Sequence, residues 1–219
     1  MLKGRALQKS YGALKVLKGV DIEISRGEVV SIVGASGAGK STLLHILGTL
    51  DVPDSGTLEI NGKNVFSQSA NSLAAFRNSN IGFVFQFHNL LPEFSAIENV
   101  MIPGLIAKTQ ENKVRARAKE LVELLGLMDR AHHKPSELSG GEAQRVAVAR
   151  SLINSPVLVL ADEPSGNLDS KNAKELHQLF FRLRDQFDQT FIIVTHNQEF
   201  AATTNRKLEI KDGQMSLTT

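Results

Sequence analysis

Gly34-Ala35-Ser36-Gly37-Ala38-Gly39-Lys40-Ser41-Thr42 sets a glycine, four residues, a second glycine, a lysine and a hydroxyl in the spacing that cradles phosphate. Glycines let consecutive backbone N–H groups converge on phosphate oxygens, Lys40 brings a cation to the β and γ phosphates, and the Ser41 hydroxyl can ligate Mg²⁺. The plain alternative is a glycine-rich turn capping a helix. A second candidate is the carboxylate pair Asp162-Glu163, which ends the apolar run Leu158–Ala161. Asp162 can hold Mg²⁺, and Glu163, one step on, can orient and deprotonate a water. Both acids could also simply face solvent at a strand end, with Pro164 opening the next turn. His196 follows the apolar run Phe191–Val194 and Thr195, and Gln86 follows Ile81–Phe85, so both stand where parallel strands present ligand contacts. Gln86 alone also reads as polar edging, and His45, His88, His132, His133 and His177 have no comparable setting. Tyr11, the one tyrosine, offers a ring that could stack on a purine or lie on the surface. Ser139-Gly140-Gly141-Glu142, just before a helical run, makes a second set of N–H groups at a helix N-terminus, again an anion site.

These residues need strands and helices in alternation to hold them. Val20–Ile24 alternates apolar and polar, as a half-exposed antiparallel strand does, and Val29–Val33 is a β-branched run of the buried parallel kind. Ser41–Leu47 reads as a helix, Thr57–Ile60 as a strand closed by the turn Asn61-Gly62, and Ile81–Phe85 as another strand. Helical patterns then dominate. Val114, Ala118, Leu121 and Leu125 share a face before the stop at Gly126, and Val146, Ala149 and Ile153 repeat at helical spacing. Strand 157–161, helix 169–187, strand 190–194 and a last strand 207–210 follow, with Asp212-Gly213 as a closing turn. The alternation implies an α/β fold with a mainly parallel core sheet, an N-terminal antiparallel β part and an inserted α-helical lobe. The expected division is a core of residues 1–86 and 156–219 and a lobe of 87–155, within one domain.

The whole chain sets limits. Its 219 residues, 42% apolar, suffice for a sizeable core. A net charge of +2, from 25 basic and 23 acidic residues, advertises neither nucleic acid nor lipid as a partner. Without cysteine there are no disulfides, thiolate metal sites or thiol nucleophiles. The start lacks the apolar core of a signal peptide, and the longest apolar runs fall far short of a bilayer span, so the expectation is a soluble protein that reaches a membrane through a partner.

With these pieces in this order, the chain resembles the nucleotide-binding subunits of ATP-binding-cassette proteins over essentially its full length. The resemblance rests on Tyr11, the loop 34–42, Gln86, Leu138–Glu142, Leu158–Glu163, Asn167-Leu168-Asp169 and His196. It implies the P-loop ATPase fold of that family, with ATP and Mg²⁺ as cofactors. Tyr11 would stack on adenine, Gln86 would join the Mg²⁺ site to a partner subunit, and Ser41 and Asp162 would complete that site. Glu163 would be the catalytic base, His196 the switch histidine and Asp169 a dimer contact. The family's head-to-tail homodimer would bring Ser139–Glu142 of one copy to ATP held by the other. The stretch 85–100 and the segment 161–169 look most similar to the lipoprotein-releasing branch. That branch also holds export and cell-division ATPases, and a soluble assembly ATPase is the other alternative. The implied partner is a separate integral-membrane permease docking near Gln86–Ile97, at the cytoplasmic face of a bacterial inner membrane. Phe87, Leu90, Leu91, Phe94 and Ile97 would divide between the core of the lobe and a docking groove.

Overall fold

Strand period and turn chemistry write the first half of the chain. In the computed structural model, which describes residues 1–217, β1 (Leu2–Tyr11) pairs antiparallel with β2 (Leu14–Ile24). Val20, Ile22 and Ile24 are buried while Asp21 and Glu23 face out, as the alternation predicts. β4 (Ser55–Ile60) pairs with the other side of β1, and the turn Asn61-Gly62, with both residues at positive φ, folds β5 (Lys63–Asn64) back on it. The resulting antiparallel sheet has the order β2-β1-β4-β5.

The chain divides into two compact units. One comprises Met1–Ala74 and the chain from Phe181 onward, and the other Ala75–Phe180. Besides the antiparallel sheet, the first unit holds β3 (Val29–Val33), which runs parallel to both β8 (Thr190–Val194) and β9 (Arg206–Lys211). All five residues of β3 and of β8 are buried. Helix α1 (Lys40–Leu47) adds Leu43, Leu44, Ile46 and Leu47, each at most 1% exposed, to this core. Each such side chain contributes roughly 1.5–3 kcal/mol by leaving water. The turn Asp212-Gly213 does not close the chain. Both residues lie at positive φ, and β10 (Gln214–Leu217) returns along β9 as a hairpin. The short helix α7 (Gln198–Thr203), which the pattern does not predict, is started by Asn197, whose Oδ1 accepts from Phe200 N.

The second unit contains the parallel pair β6 (Ile81–Phe85) and β7 (Leu158–Asp162), in a register that sets Phe85 opposite Asp162. Between them the chain is helical: α3 (Ala96–Ile106), α4 (Glu111–Leu124), two 3₁₀ turns and α5 (Gly140–Leu152). On α4, Val114, Ala118 and Leu121 are buried as expected, and Gly126 follows at φ 67. α5 is buried on nearly every side, through Gly141, Ala143, Gln144, Val146–Ala149, Ser151 and Leu152. Its small residues let backbones meet: a Cβ on Gly82 of β6 would stand 2.4 Å from Ser151 O. Two helices run across the limits of the units, α2 (Ala70–Asn80) and α6 (Ser170–Phe187). α2 buries no residue, so no apolar stripe marks it in the sequence.

Candidate nucleotide site

In the first unit, β3 delivers the chain to the loop 34–39 at its carboxyl end. Gly34, Gly37 and Gly39 have φ of 153°, 77° and 104°. Gly34 and Gly39 are also demanded by packing, since a Cβ would stand 2.2 Å from Ile210 O or 2.9 Å from Leu17 Cδ2. Gly37 faces open space. Ala35, Ser36 and Gly37 are exposed, while Ala38 and Lys40 are buried. Lys40 opens α1, and its Nζ folds back over the loop to donate to Gly34 O and Ala35 O, both at 2.9 Å. An ammonium so placed can exchange these neutral carbonyls for phosphate oxygens, which bind it more strongly as charged acceptors. With the hydroxyls of Ser41 and Thr42 at the N-terminal end of α1, the donor set fits a triphosphate and its Mg²⁺.

Neighbouring strands bring two further residues to this loop's surroundings. β8 lies beside β3, with Thr195 N donating to Ile32 O, so His196 leaves the same sheet edge as Gly34. The turn after it is fixed by Asn197 N donating to Thr195 Oγ1 at 3.0 Å. Tyr11, at the end of β1, is 50% exposed and interacts with Thr42. Its hydroxyl donates to Asp51 Oδ2 at 2.6 Å, which raises the phenol's pKa. Lys9 Nζ binds Asp51 Oδ1 at 2.7 Å and stands 5.3 Å from the Tyr11 ring centroid. Asp51 is not legible as a site residue in the sequence, because nothing in its spacing ties it to Tyr11.

In the second unit, the β6–β7 register sends Gln86 and Glu163 out of adjacent strand ends. Glu163 lies at φ 46, so the chain turns sharply after Asp162 and reorients the carboxylate. Gln86 is engaged: its Nε2 donates to Asn167 Oδ1 at 3.0 Å, and Asn167 Nδ2 donates to Gln86 O at 3.3 Å. Gly166 is required beside them, since a Cβ there would lie 2.9 Å from Gln86 Nε2. Asn167 belongs to the segment that carries the family resemblance, but its pairing with Gln86 is found only by geometry.

Ser139 caps α5. Its Oγ accepts from Glu142 N at 3.3 Å, and Glu142 Oε2 accepts from Ser139 N at 2.8 Å, a reciprocal capping box. Arg130 Nε takes the other oxygen of Glu142 at 3.0 Å. The Ser139 hydrogen bonds, with Arg130, pull the Glu142 carboxyl down to about 2. Glu142, expected beside the nucleotide of a second copy, holds this capping box and the Arg130 contact in the single chain. Gly140 and Gly141 remain at the helix start. A Cβ on Gly141 would meet Asn172 Oδ1 at 2.4 Å, and Asn172 in turn donates from N and Nδ2 to Asp169. Asp169, expected as a dimer contact, is bonded here at the start of α6.

The profile described as "ABC transporter" matches residues 17–166. The chain is 59% identical over 215 residues to the lipoprotein-releasing system ATP-binding protein LolD of Bacteroides fragilis, covering 98% of this chain and 100% of the relative. It is 60% identical over 213 residues to LolD of Bacteroides thetaiotaomicron, covering 97% and 98%. Among solved structures it is similar to the dimeric post-hydrolysis state of the ATP-binding cassette MJ0796 bound to ADP and Pi. The TM-score is 0.89, identity is 38%, and coverage is 99% of this chain and 98% of that one.

Proposed function

The chain belongs to the ABC transporter family, and from that premise we infer that it is the ATP-hydrolysing motor subunit of a lipoprotein-releasing system. It works as a homodimer at the cytoplasmic face of a bacterial inner membrane, beside a separate integral-membrane permease. The observation that carries the cargo is the near-full-length similarity to LolD proteins at about three-fifths identity. A separate permease suits a chain in which, among the described residues, no helix is long and apolar enough to cross a membrane.

In this reading the backbone N–H groups of residues 34–39 and the Lys40 ammonium hold the triphosphate, and the Tyr11 ring lies against adenine. Ser41, Gln86 and Asp162 would hold Mg²⁺, which would supply charge neutralisation to the triphosphate. Gln86 exchanges its Asn167 partner for that duty. Glu163 orients the attacking water and takes its proton, and His196 reads the γ-phosphate. Ser139, Gly140 and Gly141 of the second copy close the site from the other side, so binding assembles the dimer and hydrolysis releases it. Phe87, Leu91 and Phe94, which are exposed, form the docking face for a short permease helix.

Glu163→Gln tests the chemistry. It keeps the side chain's shape and removes the base, so turnover falls by about 10²-fold or more while ATP drives a stable dimer visible by size-exclusion chromatography. Normal turnover would refute the assignment. Release of a lipid-anchored protein from proteoliposomes holding the chain and its permease, dependent on ATP, tests the cargo.

A further inference from the structure

The guanidinium of Arg150, at the far end of α5 from Ser139, grips the backbone of the segment that follows Gln86. Nη1 donates to Asn89 O and Nη2 to His88 O, both at 2.6 Å. Both gripped residues are left-handed, with φ of 43° and 50°, a conformation that costs non-glycine residues energy and persists only where the surroundings hold it. α5 takes hold once more. Gln144 Nε2 donates to Phe85 O at 3.3 Å, and Asn99 holds the far end of the segment. Downstream, the fully buried Asn99 accepts from Leu91 N at 2.8 Å and donates to the carbonyls of Leu91, Phe94 and Ser95. Between these anchors the side chains are left outside, with Phe87 72%, Leu91 43% and Phe94 41% exposed.

We propose that Arg150 is a positioning residue that makes residues 86–91 move as one piece with α5, joining Gln86 and the apolar docking face to the helix that carries Ser139–Gly141. The proposal rests on the transporter reading for its purpose and on the bond geometry for its mechanism. A planar fork can satisfy two consecutive carbonyls at once, whereas a lysine ammonium is a point donor on a flexible stem. Displacement of the α5 N-terminus as ATP is enclosed therefore carries the loop with it, and a push on Phe87 or Leu91 is returned to Ser139–Gly141. Gln86 has a tie of its own, to Asn167 through both its side chain and its carbonyl, and Arg150→Lys leaves those partners in place in the free chain.

Arg150→Lys in the full chain tests this. Amide hydrogen exchange of residues 86–91 should quicken by about tenfold, while the Kd for ATP and the basal hydrolysis of the free chain stay within about twofold. In proteoliposomes, stimulation by the permease should fall about tenfold, the size of an ordinary coupling. Adding His88→Gly and Asn89→Gly, which relieve the left-handed cost, should restore much of both the protection and the stimulation. A purely structural arginine would show a lowered Tm with no such rescue. Unchanged exchange in Arg150→Lys, or full stimulation despite faster exchange, would overturn the proposal. If the permease fails to stimulate even the parent chain, the transport reading falls, and the exchange and glycine-rescue results still decide the clamp.

Discussion

His177 on α6 is half-buried, with Nε2 3.0 Å from Ser165 Oγ, and burial pulls its pKa from 6.5 to about 4. Between those values the unfolded chain takes up a proton that the folded chain refuses. Its stability contribution is therefore complete above pH 6.5 and declines as the pH falls to 4. Each pH step of one across that window is worth at most about 1.4 kcal/mol, so the decline, discounted for partial exposure, is roughly 2 kcal/mol. His177→Gln should flatten the urea midpoint across this window, and an unchanged pH slope would show that other groups produce it. Nothing in the sequence marks His177, because its setting is made by residues brought together in space. The phosphate loop is the opposite case: its chemistry needs neighbouring residues at fixed spacing, so Gly34–Thr42 can be read directly. Asn167 and Arg150 act on backbone groups 81 and 61 residues away, and no local pattern records such pairings. Ser139–Glu142 reads two ways in the sequence, since a capping box and an anion site share the same few residues.

Elements that bury one face, or all of a short β-branched run as β3 does, are legible, and an element that buries nothing is not. β2, with its alternation, and α4, with its stripe, emerge as read. α2 buries nothing, so it displays no contrasting face to a period count, whereas α5, buried almost all round, shows only the spacing of Val146, Ala149 and Ile153. The close crossing of α5 over β6 shows why α5 is built of small residues. Gly82→Ala forces a methyl to within 2.4 Å of Ser151 O, and the backbone there has little freedom to give. The expected cost is about 1–3 kcal/mol of overpacking, read as a lower urea midpoint at constant m-value. A variant as stable as the parent would mean that α5 can shift away from the strand.

At the scale of the whole molecule, work depends on surfaces that an isolated chain leaves exposed. Leu91 is the most informative of these, being 43% exposed beside a backbone pinned by Asn99. Leu91→Asp should leave ATP binding within about twofold of the parent and reduce permease stimulation by about tenfold or more, as expected when a charge enters an apolar docking core. ATPase assays with and without the co-reconstituted permease would show it, and intact stimulation would move the docking face elsewhere. The tether on Tyr11 carries a last consequence. With its hydroxyl proton committed to Asp51, the phenol in the proposed stack meets the base with its ring face, and every purine has one. This residue can measure the width of a base but cannot distinguish an amino group from a carbonyl at its edge. In the proposed stack Tyr11 would therefore not tell adenine from guanine, and any such preference falls to residues at the edge of the base.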